Sequence, residues 1–221
     1  MIKLNKKGEP QILADNSAAW TAAIEAKYAS GEKPSPTEMG RYRHPDIKKI
    51  LIEETNGKCA YCESKLLHIH HGDVEHIYPK SLDRKQTFKW DNLTLACERC
   101  NQNKSDNDPL LKQIIDPYLV DPSHHLTLLG PLPRGKTPQG VSTIELLKLH
   151  RSELVEQREE ALKKLYAIIY QIKDDRIAVE ARRAMYKDLK DESESGCNAY
   201  SAMVRVALQV EAVSFDAAVT S

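Results

Sequence analysis

Apolar positions recur every four residues at Trp20, Ile24 and Tyr28, the spacing of one helical face. The pattern predicts a helix over Ser17 to Ala29, with Ser17 as its cap, closed by Gly31 and Pro34-Ser35-Pro36. A second helix is predicted after Pro45, through Ile47, Ile50 and Leu51, ending at Asn56-Gly57. From Lys58 to about Leu111 the pattern changes. Val74, His76 and Tyr78 alternate with Glu75, Ile77 and Pro79 as in a strand, and Asn92-Leu93-Thr94-Leu95 supplies a second short apolar piece. These predict a β-hairpin followed by a helix starting near Asn101. Asp116 to Gly140 holds five prolines and three glycines, a connector with a short strand at His125 to Leu129. Beyond it Leu147, Leu154, Ala161, Leu165, Ile168 and Ile172 line one face of a long amphipathic helix, whose other face carries Glu159/Lys163 and Glu160/Lys164. Further helices are predicted around Asp175 to Leu189 and Asn198 to Val213.

The expected architecture is α+β. A helical region (1–56) precedes a compact hairpin-and-helix module (57–113), a Pro/Gly-rich connector (114–141) and a helical region (142–221). The module has little apolar residue content to build its own core, so it needs a metal staple.

Charge changes this picture little. Lys+Arg and Asp+Glu balance at 32 each, which removes the global positive field of a stand-alone nonspecific DNA binder. Between Pro79 and Lys104, however, six basic residues face three acidic ones, a local positive patch. The N-terminus lacks the apolar run of a signal peptide and no stretch reaches bilayer length, so a cytoplasmic protein without a membrane partner is expected.

The cysteines carry the sharpest signal. Cys59-Ala60-Tyr61-Cys62 and Cys97-Glu98-Arg99-Cys100 are two Cys-x-x-Cys knuckles. In a reducing compartment they predict one tetrahedral four-cysteine zinc site, structural because no coordination position stays open. Cys197 is left over and is expected to be a small, partly buried helical residue. Between and just after the knuckles lie Glu75, His76, Asn92, Asn101 and Lys104. An imidazole can take a proton from water, oxygen donors can hold a hard cation, and Lys104 can contact a phosphate, with the helix N-terminus near Asn101 favouring the same anion. The competing reading is a zinc ribbon that binds nucleic acid or a partner without cutting. His68, His70 and His71 read as solvated loop residues, as do His124 and His125, while Asp73 is placed to share a strand face with Glu75. Gly130-Pro131-Leu132-Pro133-Arg134-Gly135-Lys136-Thr137 matches a phosphate-loop pattern. Pro131 and Pro133 remove backbone donors that such a loop needs, so ATP binding is not assigned there.

The run Cys59-x-x-Cys62, Glu75-His76-Ile77-Tyr78-Pro79-Lys80-Ser81, Asn92 and Cys97-x-x-Cys100-Asn101-x-x-Lys104 resembles the HNH endonuclease family, with its ββα-metal fold. The resemblance implies that His76 is the general base, Glu75 a ligand of the catalytic metal, Asn92 the residue that orients base and loop, and Asn101 the completion of the metal site. Asn101 replaces a frequent His, and Glu75 stands where Asp or His is often found. Both retain oxygen ligands, so magnesium is expected, with manganese tolerated.

The wider arrangement is similar to the PtuB family of HNH effectors from Septu and retron-linked antiphage systems. It comprises Gly57 to Glu63, Val74 to Ser81, Asp116-Pro117 and Ser142 to Leu149 with Arg151 and Arg158. That resemblance implies an ABC/SMC-like ATPase partner (PtuA) docked on the helices after Ser142, and in some systems a retron reverse transcriptase with its RNA–DNA product. DNA is the favoured substrate, with RNA, including tRNA, as the alternative because base and metal act on phosphate.

Overall fold

The computed structural model describes residues 1–66 and 72–220; His68, His70 and His71 lie outside the described residues. The chain is α+β, and the two small sheets among the described residues are each an antiparallel pair.

Helix α1 (Gln11–Ala29) starts six residues before the predicted Ser17, directly after Pro10. Leu13 explains the extension: it is fully buried, so packing secures turns whose Asp15-Asn16-Ser17 composition otherwise suits a helix start. Ser17 is therefore not a cap, and its carbonyl accepts a hydrogen bond from the Thr21 hydroxyl. A short α2 (Pro36–Met39) is held by a reciprocal Ser35/Glu38 capping box. Helix α3 (Pro45–Glu54) stops where expected, at Asn56 and Gly57, both left-handed with φ of 53° and 66°.

Strands β1 (Asp73–His76) and β2 (Leu93–Ala96) pair antiparallel, with Glu75 opposite Thr94 and His76 opposite Leu93. Helix α4 (Glu98–Lys104) follows at once and packs on β1. It begins three residues before Asn101, because Cys97 is its cap and accepts the Cys100 N–H on sulfur. Asn101 thus sits mid-helix, away from the N-terminal field expected to act on an anion there.

The Pro/Gly-rich stretch forms a second hairpin, β3 (Leu126–Leu129) with β4 (Leu132–Gly135). The phosphate-loop lookalike is its turn and returning strand. Helix α5 (Pro138–Leu146), capped by Thr137, is separated from α6 (Ser152–Lys173) by a turn in which Lys148 takes φ of 48°. The single long helix predicted from Leu147 is broken there. The break buries both Leu147 and Leu149, which a continuous helix would hold on different faces. Helices α7 (Val179–Ser195), α8 (Ser201–Ala212) and α9 (Ala217–Thr220) complete the chain. Cys197 is exposed in the link between α7 and α8, not partly buried in a helix as expected. No helix among the described residues is long and apolar enough to cross a membrane.

One continuous core joins these parts. Its polar joint is Glu63, immediately after the first knuckle and fully buried. Glu63 faces the Met1 ammonium at 2.5 Å and the Lys58 ammonium at 3.7 Å, and accepts the Ala202 N–H at the start of α8 at 3.2 Å. Lys58, equally buried, donates to the carbonyls of Gly196 and Asn198. Burial pushes the Glu63 carboxyl towards its protonated form, but the two ammonium groups outweigh it and hold the group below its ordinary value. Breaking such a buried pair leaves an uncompensated charge. Glu63→Ala is expected to lose about 3–5 kcal/mol of stability, checked by denaturant unfolding; a change within about 0.5 kcal/mol, ordinary for a surface site, would show that Glu63 is no joint.

Candidate active site

The four knuckle sulfurs, from Cys59, Cys62, Cys97 and Cys100, all lie within 4.8 Å of one another. A tetrahedral zinc with Zn–S near 2.3 Å requires sulfur–sulfur edges of about 3.8 Å, and Cys62 and Cys97 are 3.8 Å apart. The donor set therefore fits zinc. The knuckles meet because the first is pinned to β2, the Ala60 N–H donating to the Leu95 carbonyl at 2.9 Å, while the second turns directly from β2 into α4. Arg151 from the α5–α6 turn places its guanidinium 3.9–4.0 Å from the Cys97 and Cys100 sulfurs, offsetting thiolate charge.

Glu75, His76, Asn101 and Lys104 line one groove of about 430 Å³ with Tyr28, Lys80 and Arg84. His76 is almost fully buried. Its Nε2 lies 3.0 Å from the Thr87 carbonyl, and the Tyr42 ring meets it edge-on at 4.4 Å. A carbonyl can only accept, so Nε2 carries the proton and Nδ1 keeps a lone pair. Among the described residues no hydrogen bond engages Nδ1. Burial, reinforced by the charges of Lys80, Lys104 and Arg43, pushes the imidazole down to about 3. The ring is uncharged at neutral pH, but in the free protein it is a weaker base than the ordinary imidazole the sequence suggested.

Asn92 lies across the neck of the loop that leaves β1. Its Oδ1 accepts the Tyr78 N–H at 2.7 Å, and its Nδ2 donates to the carbonyls of Tyr78 at 2.9 Å and Gln86 at 3.1 Å. Among the described residues it makes no hydrogen bond to the His76 ring. It fixes the loop that presents the Thr87 carbonyl, so its hold on the ring is indirect. Asn101 donates from Nδ2 to Asp73 at 3.1 Å, which turns its Oδ1 away from that carboxylate and leaves a carbonyl-type donor available. The Lys104 ammonium, expected in the groove as a phosphate contact, is 1% exposed and lies 2.8 Å from both the Glu75 carboxylate and the His76 carbonyl. Burial drives the Glu75 carboxyl upward and Lys104 opposes it.

Glu75 and Asn101 offer a thin set of hard oxygen donors, which suits magnesium: it keeps several waters and takes remaining oxygens from a phosphate. It suits a soft transition metal poorly.

The HNH endonuclease family model matches residues 59–107, the segment that contains both knuckles, the hairpin and α4. This segment is an HNH endonuclease domain. The chain is also similar to two Septu PtuB proteins. One, from Bacillus thuringiensis, is 35% identical over 48% of this chain and 42% of its own length. The other, from Bacillus mycoides, is 27% identical over 79% of this chain and 71% of its own length. A CRISPR-associated endonuclease Cas9 from Corynebacterium diphtheriae is 27% identical over 45% of this chain but only 8% of its own length. The chain thus spans less than half of the first PtuB relative. No solved structure matches it.

Three contributors to the HNH domain's groove escaped the sequence reading. The Thr87 carbonyl is a backbone group and leaves no residue signature. Tyr42 precedes the domain and arrives by tertiary packing. The Lys104–Glu75 pairing follows from placing α4 against β1, which spacing alone does not disclose. Asp73, two residues before Glu75 and so on the same strand face, serves Asn101. Replacing Cys97 with Ser is expected to abolish zinc retention, one ion per chain in the parent, and to unfold the HNH domain. Metal analysis with circular dichroism reads this, and full zinc content in Cys97→Ser would refute the closed shell.

Proposed function

We propose that the protein is a metal-dependent endonuclease that hydrolyses phosphodiester bonds. The observation that carries this reading is the single groove in which a neutral His76, with Nε2 tied to the Thr87 carbonyl, lies beside the oxygen donors Glu75 and Asn101. His76 Nδ1 takes a proton from a water aligned against phosphorus, while the Thr87 carbonyl stabilises the imidazolium that forms. A phosphate anion entering the groove raises the proton affinity of the ring, offsetting part of what burial removes. Glu75 and Asn101 would hold a divalent cation, magnesium by preference, which supplies stabilisation of the charge that grows on phosphate and leaving oxygen. Lys104 favours the ionised form of the Glu75 carboxylate against burial and aims it, and Asn92 holds the loop in register. Asp73 keeps the Asn101 amide turned.

DNA is the favoured substrate. The groove's chemistry acts on phosphate, and RNA remains the second reading because no residue assigned to the groove discriminates the sugar. Similarity to Septu PtuB proteins supports a role in antiphage defence beside an ABC/SMC-like ATPase, and the balanced charge of the chain is consistent with substrate delivery by such a partner. The docking surface assigned to the helices after Ser142 cannot be tested by deleting them. Arg151, Tyr200 and the Glu63–Ala202 contact belong to the support of the zinc site.

The decisive assay incubates the zinc-loaded chain, alone and with its co-expressed ATPase, with DNA and RNA in Mg²⁺, Mn²⁺ or EDTA. Cleavage is expected with either cation and none in EDTA. His76→Ala should lower the rate by about 10²–10⁴-fold with zinc content and helicity intact. Undiminished cutting by His76→Ala would remove it from the mechanism, and absence of cleavage in every combination would favour the non-cutting adaptor.

A further inference from the structure

The basic side chains around the groove are mounted on rings. The Arg84 guanidinium lies 3.8 Å from the centroid of Tyr28, while Arg43 and Lys80 lie 5.0 and 5.1 Å from that of Tyr42. Tyr42 in turn meets His76 with its edge. None of these three cations has a carboxylate partner among the described residues. The acids nearby are engaged: Glu38 by Lys27 at 2.7 Å, Glu25 by Lys85 at 3.6 Å and Glu75 by Lys104 at 2.8 Å. Asp83 is taken up by the Lys85 N–H and the Gln86 amide in its own turn. Asp106, at the lip of the groove, is the one acid of the lining not so engaged. Arg43 and Arg84 are exposed and Lys80 is half-buried.

A cation over an aromatic face is held in position while its donors stay turned to solvent, so less order must be imposed when an anion arrives. With Lys104 buried against Glu75, these groups are the positive charge left to meet substrate at the groove. Tyr42 is buried and one face of Tyr28 is covered by Arg84, so both rings offer less to base stacking, the usual means by which aromatic residues at such sites hold bases. Tyr28, Tyr42 and Arg43 all precede the matched HNH segment at residues 59–107.

We propose that Arg43, Lys80 and Arg84, mounted on Tyr42 and Tyr28, form a backbone-phosphate clamp through which the N-terminal helical region completes the nucleic-acid site. The clamp holds the strand by its phosphates and leaves its bases unread. This rests on the nuclease reading for the identity of the ligand, and binding is measured separately from cutting.

The test uses full-length, zinc-loaded His76→Ala protein, so that the probe stays intact, and follows fluorescence anisotropy of labelled duplex DNA and of homopolymer strands across a salt series. Arg43→Ala, Lys80→Ala and Arg84→Ala should each weaken binding severalfold and lower the slope of log affinity against log salt by about 0.7–0.9. The exposed Lys187→Ala on α7 should change neither. Tyr28→Leu should weaken binding with the salt slope largely kept, since the charge remains and only its mount is lost. Homopolymers should bind within about threefold of one another. Unchanged slopes in all three alanine variants, no binding by the parent at low salt, or a preference above about tenfold among homopolymers would overturn the clamp. Cleavage by the wild-type chain alongside any of these would leave the nuclease reading standing without it.

Discussion

Four sulfur atoms within one coordination sphere determine where the rest of the molecule can go. The segment they close has two four-residue strands and a seven-residue helix, too little apolar surface to hold itself in register. The four-cysteine cluster fixes the knuckle before β1 to the knuckle before α4, and so fixes the strand that carries Glu75 and His76 against the helix that carries Asn101 and Lys104. The C-terminal helices then grip the cluster from outside through Arg151, and through Tyr200, whose hydroxyl lies 3.1 Å from Ser64, itself bonded to the Cys62 sulfur. The cysteine cluster and the helices support each other.

The site separates two roles for charge. The Lys104 ammonium is engaged internally, opposing the upward push that burial gives the Glu75 carboxyl, and cannot also serve the substrate. In the proposed clamp, recognition then falls to side chains outside the two strands and α4. The imidazole follows the same division: it is buried deeply enough to stay neutral, and one backbone carbonyl settles which nitrogen can accept a proton.

Much of this was legible in the sequence where spacing alone implies geometry. Two Cys-x-x-Cys pairs, the alternation through Glu75 and His76, and the Asn56-Gly57 stop each encode a local shape. Legibility failed where packing decided the outcome. Leu13 carries α1 past a polar stretch that looks like a boundary, and Leu147 and Leu149 break a stripe that reads as one helix. Lys104 looks like a surface cation one turn beyond the knuckle, yet the approach of α4 to β1 buries it on Glu75. The Thr87 carbonyl, which orients the imidazole, has no side-chain trace at all.

The loop between β1 and β2 has a neck tied to the hairpin and a tip that rests instead on the N-terminal helical region, through Lys80 on Tyr42, Arg84 on Tyr28 and Lys85 beside Glu25. Asn92 ties Tyr78 and Gln86 across the neck, and the Thr87 carbonyl beside it holds His76. Residues between Pro79 and Lys85 lie beyond that tie, and among the described residues their side chains make no hydrogen bond to His76, Glu75 or Asn101. Exchanges at the tip can therefore remodel what the protein touches while the contact of His76 with the Thr87 carbonyl stays in place. In the proposed mechanism this sets a modular seam between reactivity and recognition, so that new targets could be explored by natural variation or by grafting without rebuilding the groove around His76.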